Sequence, residues 1–217
     1  RRIEFIGDSH TVGYGNLSTT RQCTPDEVWS RTDNTRAYGP LVAAHYDADY
    51  RVNAISGRGV VRNYDGFTGD TLPQAYPYVL FDHSVRDKDD GWQPQAIVIA
   101  LGTNDFSTAL HAGERWASRD ALHADYEATF AGFVRSLRAR HPQARIVLWA
   151  TNGAEGEVQA EVQKVVARLQ DPYVSYLPVD GLAMDGCDWH PSEADHRRIA
   201  DALVRHLDAL PAPWGAK

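Results

Sequence analysis

Cysteine, methionine, positive charge and long apolar runs are all scarce in this 217-residue chain, which has two cysteines and one methionine. Cys23 and Cys187 lie too far apart for a zinc knuckle and lack the C-x-x-C spacing of a redox pair. Two unrelated buried thiols or a single disulfide remain, and the disulfide suits an exported protein. The longest strongly apolar run, residues 96–101, is strand-sized, whereas a membrane-spanning helix needs roughly 20 residues; no membrane partner is expected. Only 22 Lys and Arg oppose 29 Asp and Glu, a formal charge of −7. That balance argues against a phosphate-binding surface, and so against nucleic acid. The nine histidines include no H-E-x-x-H or comparable ligand cluster, so a zinc-dependent chemistry finds no support and neither metal nor organic cofactor is expected. No repeat or low-complexity tract is visible. The chain opens RRIEF, without initiator methionine or signal-like segment, as a processed or trimmed protein would.

An apolar content of 43% is enough for one core, and a single domain over 1–217 is the simplest division. Strand-like segments recur at 3–6, 50–55, 96–101, 146–150 and 173–177, rich in β-branched and aromatic residues. Helical stripes follow Leu122, Tyr126, Phe130, Phe133 and Leu137, then Val158, Val162, Val165 and Leu169. A last helix begins near Pro191 and Ser192, where Ser192 and Asp195 have capping-box spacing, and continues through Ile199, Leu203, Leu207 and Leu210. This alternation predicts an α/β fold: a three-layer α/β/α sandwich on a five-stranded parallel sheet. The stretches 20–40 and 63–93 read as loops with a short helix each, and the charged segment DHSVRDKDDG as solvated surface.

Parallel strands end at one edge, and the residues there carry chemistry. Ser9, in GDSHTVGYG, follows the first strand; Gly57 follows the second, Asn104 the third, and His190 lies beyond the fifth. A serine hydroxyl needs a base to attack a carbonyl, and a neutral imidazole supplies one. The N–H groups of Ser9 and Gly57, with the Asn104 amide, would form an oxyanion hole, helped by a helix starting after Ser9. Each residue alone has a plainer reading: a cap, a turn, a positive φ, a helix start. Their ordered occurrence after successive strands favours acyl transfer.

The blocks GDSHT, NAISGRG, LGTND and DWHPS resemble the SGNH (GDSL-type) hydrolases. More narrowly, RIEFIGDSHTVGYGN, SGRGVVRNY, IVIALGTNDF and GCDWHPS resemble family 2 of the carbohydrate esterases, acetyl esterases acting on plant polysaccharides such as xylan. The resemblance implies a flavodoxin-like SGNH fold, Ser9 as nucleophile, His190 as base, and Ser9, Gly57 and Asn104 as oxyanion donors. One position departs: the D-x-x-H pattern would place an acid where Cys187 stands, and the nearest is Asp188. Either Asp188 orients the imidazole or a main-chain carbonyl does so, leaving a Ser–His dyad. Trp189 reads either as a buried packing residue or, the favoured reading, as a wall on which a sugar stacks; Asp8 is expected to brace a loop, and Asp105 to brace a loop or touch a sugar hydroxyl. Cys23 and Cys187 both fall in loops at the active edge, which favours their pairing and a secreted or periplasmic setting.

The substrate implied is an acetylated carbohydrate such as xylan or mannan, with no obligate protein partner. A lipid, thioester or cell-wall acetyl ester would use the same machinery, and a carbohydrate-binding module would keep the pocket without turnover. Family 2 enzymes commonly carry a β-sandwich ahead of the hydrolase domain, which is not in this sequence. The NLS sequon at Asn16, beside the nucleophile loop, reads as structural.

Overall fold

Of the five strands, the three central ones are buried along nearly their whole length between two helical layers, which is why they read as apolar runs, while the edge strand at 49–54 has no fully buried residue. In the computed structural model, which describes residues 1–79, 83–88 and 91–214, these strands are β1 (Arg2–Gly7), β2 (Asp49–Ala54), β3 (Ala96–Ala100), β4 (Arg145–Thr151) and β5 (Val174–Val179). They form one parallel sheet in the order β2-β1-β3-β4-β5. Gly7 lies opposite Ala54 on one side and Ala100 on the other, so three strand ends are level.

The helices are α1 (Ser9–Val12), α2 (Pro25–Ser30), α3 (Tyr38–His45), α4 (Leu72–Ala75), α5 (Thr103–Phe106), α6 (Arg119–Arg140), α7 (Glu157–Leu169) and α8 (Glu193–Ala209). Strand side chains alternate between two cores. Ile97, Ile99, Ile146 and Leu148 pack under α6 and α7, with Tyr126, Phe130 and Val162. Ile3, Phe5, Val98 and Val147 pack under α3 and α8, with Tyr38, Val42, Ile199 and Leu203. The three-layer expectation is borne out, and both long stripes fall on α6 and α7 as read. The Ser192/Asp195 capping box starts α8, its side chains exchanging hydrogen bonds with the opposite backbone N–H groups.

α3 departs from the sequence reading, which left 20–40 as loop with one short helix. That short helix is α2, capped by Thr24 and Glu27. α3 is additional: Tyr38, Gly39, Pro40, Val42 and Ala43 are all buried between the sheet and α8. A helix covered on most sides shows no polar face, so no period marks it, and Gly39 and Pro40 depress its propensity. In 63–93 the short helix is α4; part of the charged segment at 82–91 lies outside the described residues. Among the described residues no helix is long and apolar enough to cross a membrane.

Candidate active site

The chain reverses direction across the sheet at β1, going first to β2 and then to β3, and that switch opens a crevice beyond the strand ends. Ser9 begins α1 there, capped by Asp8, whose carboxylate accepts the His10 N–H at 3.0 Å. α1 is a single turn, so its macrodipole adds little and the local N–H groups matter more. His190 comes from the connection between β5 and α8, 181 positions away, and its Nε2 lies 2.9 Å from Ser9 Oγ.

The hydrogen bonds define the tautomer. His190 Nδ1 faces two main-chain carbonyls, Cys187 O at 2.9 Å and Asp188 O at 3.1 Å. Carbonyls only accept, so Nδ1 carries the proton and the Nε2 lone pair receives the Ser9 hydroxyl. Burial holds the His190 pKa below the ordinary imidazole value of 6.5, against the raising effect of the two carbonyl bonds and the nearby Asp188 charge. The imidazole is therefore neutral at neutral pH and can act as a base.

Asp188 as the carboxylate support of His190 is corrected by this geometry. Its carboxylate accepts the Tyr14 hydroxyl at 2.9 Å, while its main-chain carbonyl meets the ring. The turn responsible, Cys187–Trp189, holds Asp188 and Trp189 at φ of 51° and 58°, left-handed values that swing the carbonyls toward the imidazole. The dyad alternative fits.

Asn104, on α5, ties three strand ends together: its amide donates to Asp8 Oδ2 and to Arg58 O, each at 3.0 Å. Both amide hydrogens thus have acceptors in the resting state, and the amide could serve an oxyanion only by exchanging one. Among the described residues the N–H groups of Ser9 and Gly57 have no acceptor. Gly57 sits at φ +78°, which favours glycine, and an added Cβ would press on the Phe67 ring at 3.2 Å.

Asp105 has no exposed surface, so its expected contact with a sugar hydroxyl is withdrawn. Its carboxylate gathers the N–H groups of Val60, Val61 and Arg62 at 2.8–3.1 Å and so moulds the loop carrying Gly57, the bracing role also expected. Burial pushes Asp105 up to about 6 and Asp8 up to about 7, in each case against hydrogen bonds that lower it. Asp8 braces as anticipated. Trp189 is 62% exposed next to Asp188 and faces, with Arg21, Gln22, Thr24 and Glu27, an open groove. Cys23 and Cys187 form a disulfide. Asn16 is buried and exchanges hydrogen bonds with the Asp33 backbone, the structural use anticipated for the sequon.

Sequence reasoning passed over Tyr14 and His10. The Tyr14 ring lies 4.2 Å from the His190 ring, and His10 stands edge-on at 5.6 Å. Both residues are inside GDSHTVGYG, but nothing in their spacing points at His190, 180 positions beyond His10 and 176 beyond Tyr14. Among the described residues no group of three or more His, Cys, Asp or Glu side chains is placed to hold a metal ion.

Residues 5–206 match the GDSL-like Lipase/Acylhydrolase family. An acetylxylan esterase / glucomannan deacetylase of Cellvibrio japonicus (strain Ueda107) is 46% identical over 218 residues, 99% of this chain and 61% of that protein, so the chain spans less than two thirds of that relative. A solved carbohydrate esterase, whose active site displays divergent catalytic and non-catalytic binding functions, superposes with a TM-score of 0.95 at 45% identity, covering 99% of this chain and 70% of that one. A family two carbohydrate esterase from Clostridium thermocellum, solved in complex with cellohexaose, gives 0.83 at 30% identity over 96% of this chain and 63% of that one. With its level strand ends, its Ser9–His190 contact and a match over nearly its whole length, the chain belongs to the GDSL-like lipase/acylhydrolase family, beside the family two carbohydrate esterases.

Proposed function

We propose that this domain is a serine esterase that removes O-acetyl groups from plant polysaccharides such as acetylated xylan or mannan. The observation that carries the reading is the 2.9 Å contact between Ser9 Oγ and an His190 Nε2 whose tautomer is fixed by two carbonyls. The relatives, an acetylxylan esterase / glucomannan deacetylase and a cellohexaose-bound esterase, support a carbohydrate ester as substrate.

Ser9 Oγ attacks the acetyl carbonyl as its proton passes to His190 Nε2, and the Nδ1–H bonds to Cys187 O and Asp188 O stabilise the imidazolium that results. The carbonyl oxygen, now negative, is held by the Ser9 and Gly57 N–H groups, with Asn104 exchanging its bond to Arg58 O to join them. The ester C–O bond then breaks and Nε2–H protonates the departing sugar alcohol, leaving acetyl-Ser9. Water repeats the sequence: its proton goes to Nε2, its oxygen bonds to the acyl carbon, and acetate leaves as Ser9 regains its proton. Trp189 offers an exposed ring at the mouth for a sugar face. The disulfide suits an enzyme working outside the cytosol, secreted or periplasmic.

Acetate release from acetylated xylan, acetylated mannan and longer-chain synthetic esters, with Ser9→Ala as control, tests this. Release from a polysaccharide that vanishes in the variant is expected; turnover confined to long-chain esters would overturn the substrate, and no turnover by either protein would overturn the activity.

A further inference from the structure

The carbonyl that accepts His190 Nδ1–H at 2.9 Å belongs to Cys187, the residue whose side chain is bonded to Cys23. We propose that the Cys23–Cys187 disulfide is a positioning element for the imidazole: it fixes the main-chain carbonyl that sets the tautomer and orientation of His190. The proposal rests on the Ser9–His190 reading above.

A carboxylate side chain can follow a ring as its loop shifts, whereas a backbone carbonyl is only as well placed as the loop that carries it. Here that loop runs from the end of β5 at Val179 to the start of α8 at Glu193, outside both sheet and helix layers. Its turn contains two consecutive left-handed non-glycine residues, Asp188 and Trp189, a conformation that persists only when the surroundings impose it. Within the turn Cys187 O also accepts the His190 N–H at 3.0 Å; to another connecting segment the turn donates Cys187 N–H to Gly15 O at 3.3 Å and Asp188 N–H to Arg21 O at 2.8 Å. The disulfide adds the covalent link to that same segment.

The anchoring side is itself held. Thr24 and Glu27 cap α2 directly after Cys23, Leu17 N–H donates to Arg31 O at 3.0 Å, and Asn16 exchanges two bonds with Asp33. Cys187 is fully buried, packed so closely on Gly15 that a side chain at Gly15 would collide with it. The tether therefore runs from a braced loop to the residue that touches the imidazole.

A bond that merely closes a long loop in the unfolded chain would raise stability and leave the folded site alone. The discriminating experiment compares wild type, the Cys23→Ser/Cys187→Ser double variant, Ser9→Ala, and Val165→Ala, a core truncation on the buried face of α7. Turnover of 4-nitrophenyl acetate is measured well below each unfolding midpoint, together with the His190 Nδ1–H resonance in a nitrogen-edited proton spectrum. In the double variant kcat is expected to fall by about tenfold to a hundredfold with KM nearly unchanged, and the Nδ1–H resonance to broaden into solvent exchange. Val165→Ala should lose stability and keep both. Should the double variant fail to accumulate, folded wild type reduced with a phosphine reductant and then reoxidised gives the same readings. Unchanged kcat and an unchanged Nδ1–H line in a protein that has lost only stability would overturn the proposal. The resonance reports on His190 even without turnover, so failure of the esterase reading, seen as no hydrolysis sensitive to Ser9→Ala, is separable.

Discussion

At Ser9 a hydroxyl ordinarily too weak to attack an ester meets a ring nitrogen whose lone pair is turned toward it at 2.9 Å. Replacing Ser9 or His190 by Ala is expected to lower kcat on the order of 10⁵- to 10⁶-fold, as for other members of such a unit. Asp188→Ala should cost much less, within about tenfold, because the ring is held by main-chain carbonyls that the substitution leaves in place; kcat values for the three variants check this. The pH profile follows from the same environment. His190 must be neutral to accept the Ser9 proton, and burial holds its pKa below 6.5, so kcat/KM should rise with pH along an acid limb whose midpoint lies below that value. An acid limb centred above 6.5 would mean that another group controls the reaction. These roles were legible only in part. Ser9 and His190 follow strands that sequence can place, whereas a carbonyl acceptor has no letter of its own, and a left-handed turn at Asp188 and Trp189 has no glycine to announce it.

The elements show why the site's loops keep their shape. Asp105, on α5, binds three successive N–H groups of the loop after β2, so the segment bearing Gly57 is held by the segment bearing Asn104. Truncating Asp105 to Ala would leave those buried donors unpaired, and each such group costs about 1–3 kcal/mol. The urea midpoint is expected to drop by an amount corresponding to several kcal/mol, with kcat falling as Gly57 loosens. α8 starts at the capping box of Ser192, two residues after His190; Ser192→Ala should cost about 0.5–2 kcal/mol, read from the same denaturation curves. Both long stripes, on α6 and α7, were readable because each helix shows one face to water. α3 was not, because sheet and α8 cover it and no polar face sets a period.

For the whole molecule the buried titratable groups set the pH dependence of folding. His196 is fully buried, its Nδ1 accepts the Tyr38 N–H, and burial lowers its pKa to about 4. Between about 4 and 6.5 the unfolded chain binds the extra proton, so this contribution to stability is lost as pH falls through that window. Asp105 works in the opposite sense: with its pKa raised to about 6, its contribution declines as pH rises from about 3.8 to 6. A plot of Tm against pH should therefore flatten in His196→Asn and steepen in Asp105→Asn. At this scale the sequence was most readable, since alternating buried strands and amphipathic helices admit few arrangements, and level strand ends bring residues 181 positions apart to one rim. That rim is tested most directly by the mass of the intact protein, acid-quenched during turnover of an acetyl ester. One added acetyl group, located to the peptide containing Ser9 and missing from Ser9→Ala, is expected; an actively hydrolysing protein that never carries an acetyl group on Ser9, or a Ser9→Ala variant that still turns over, would contradict the account.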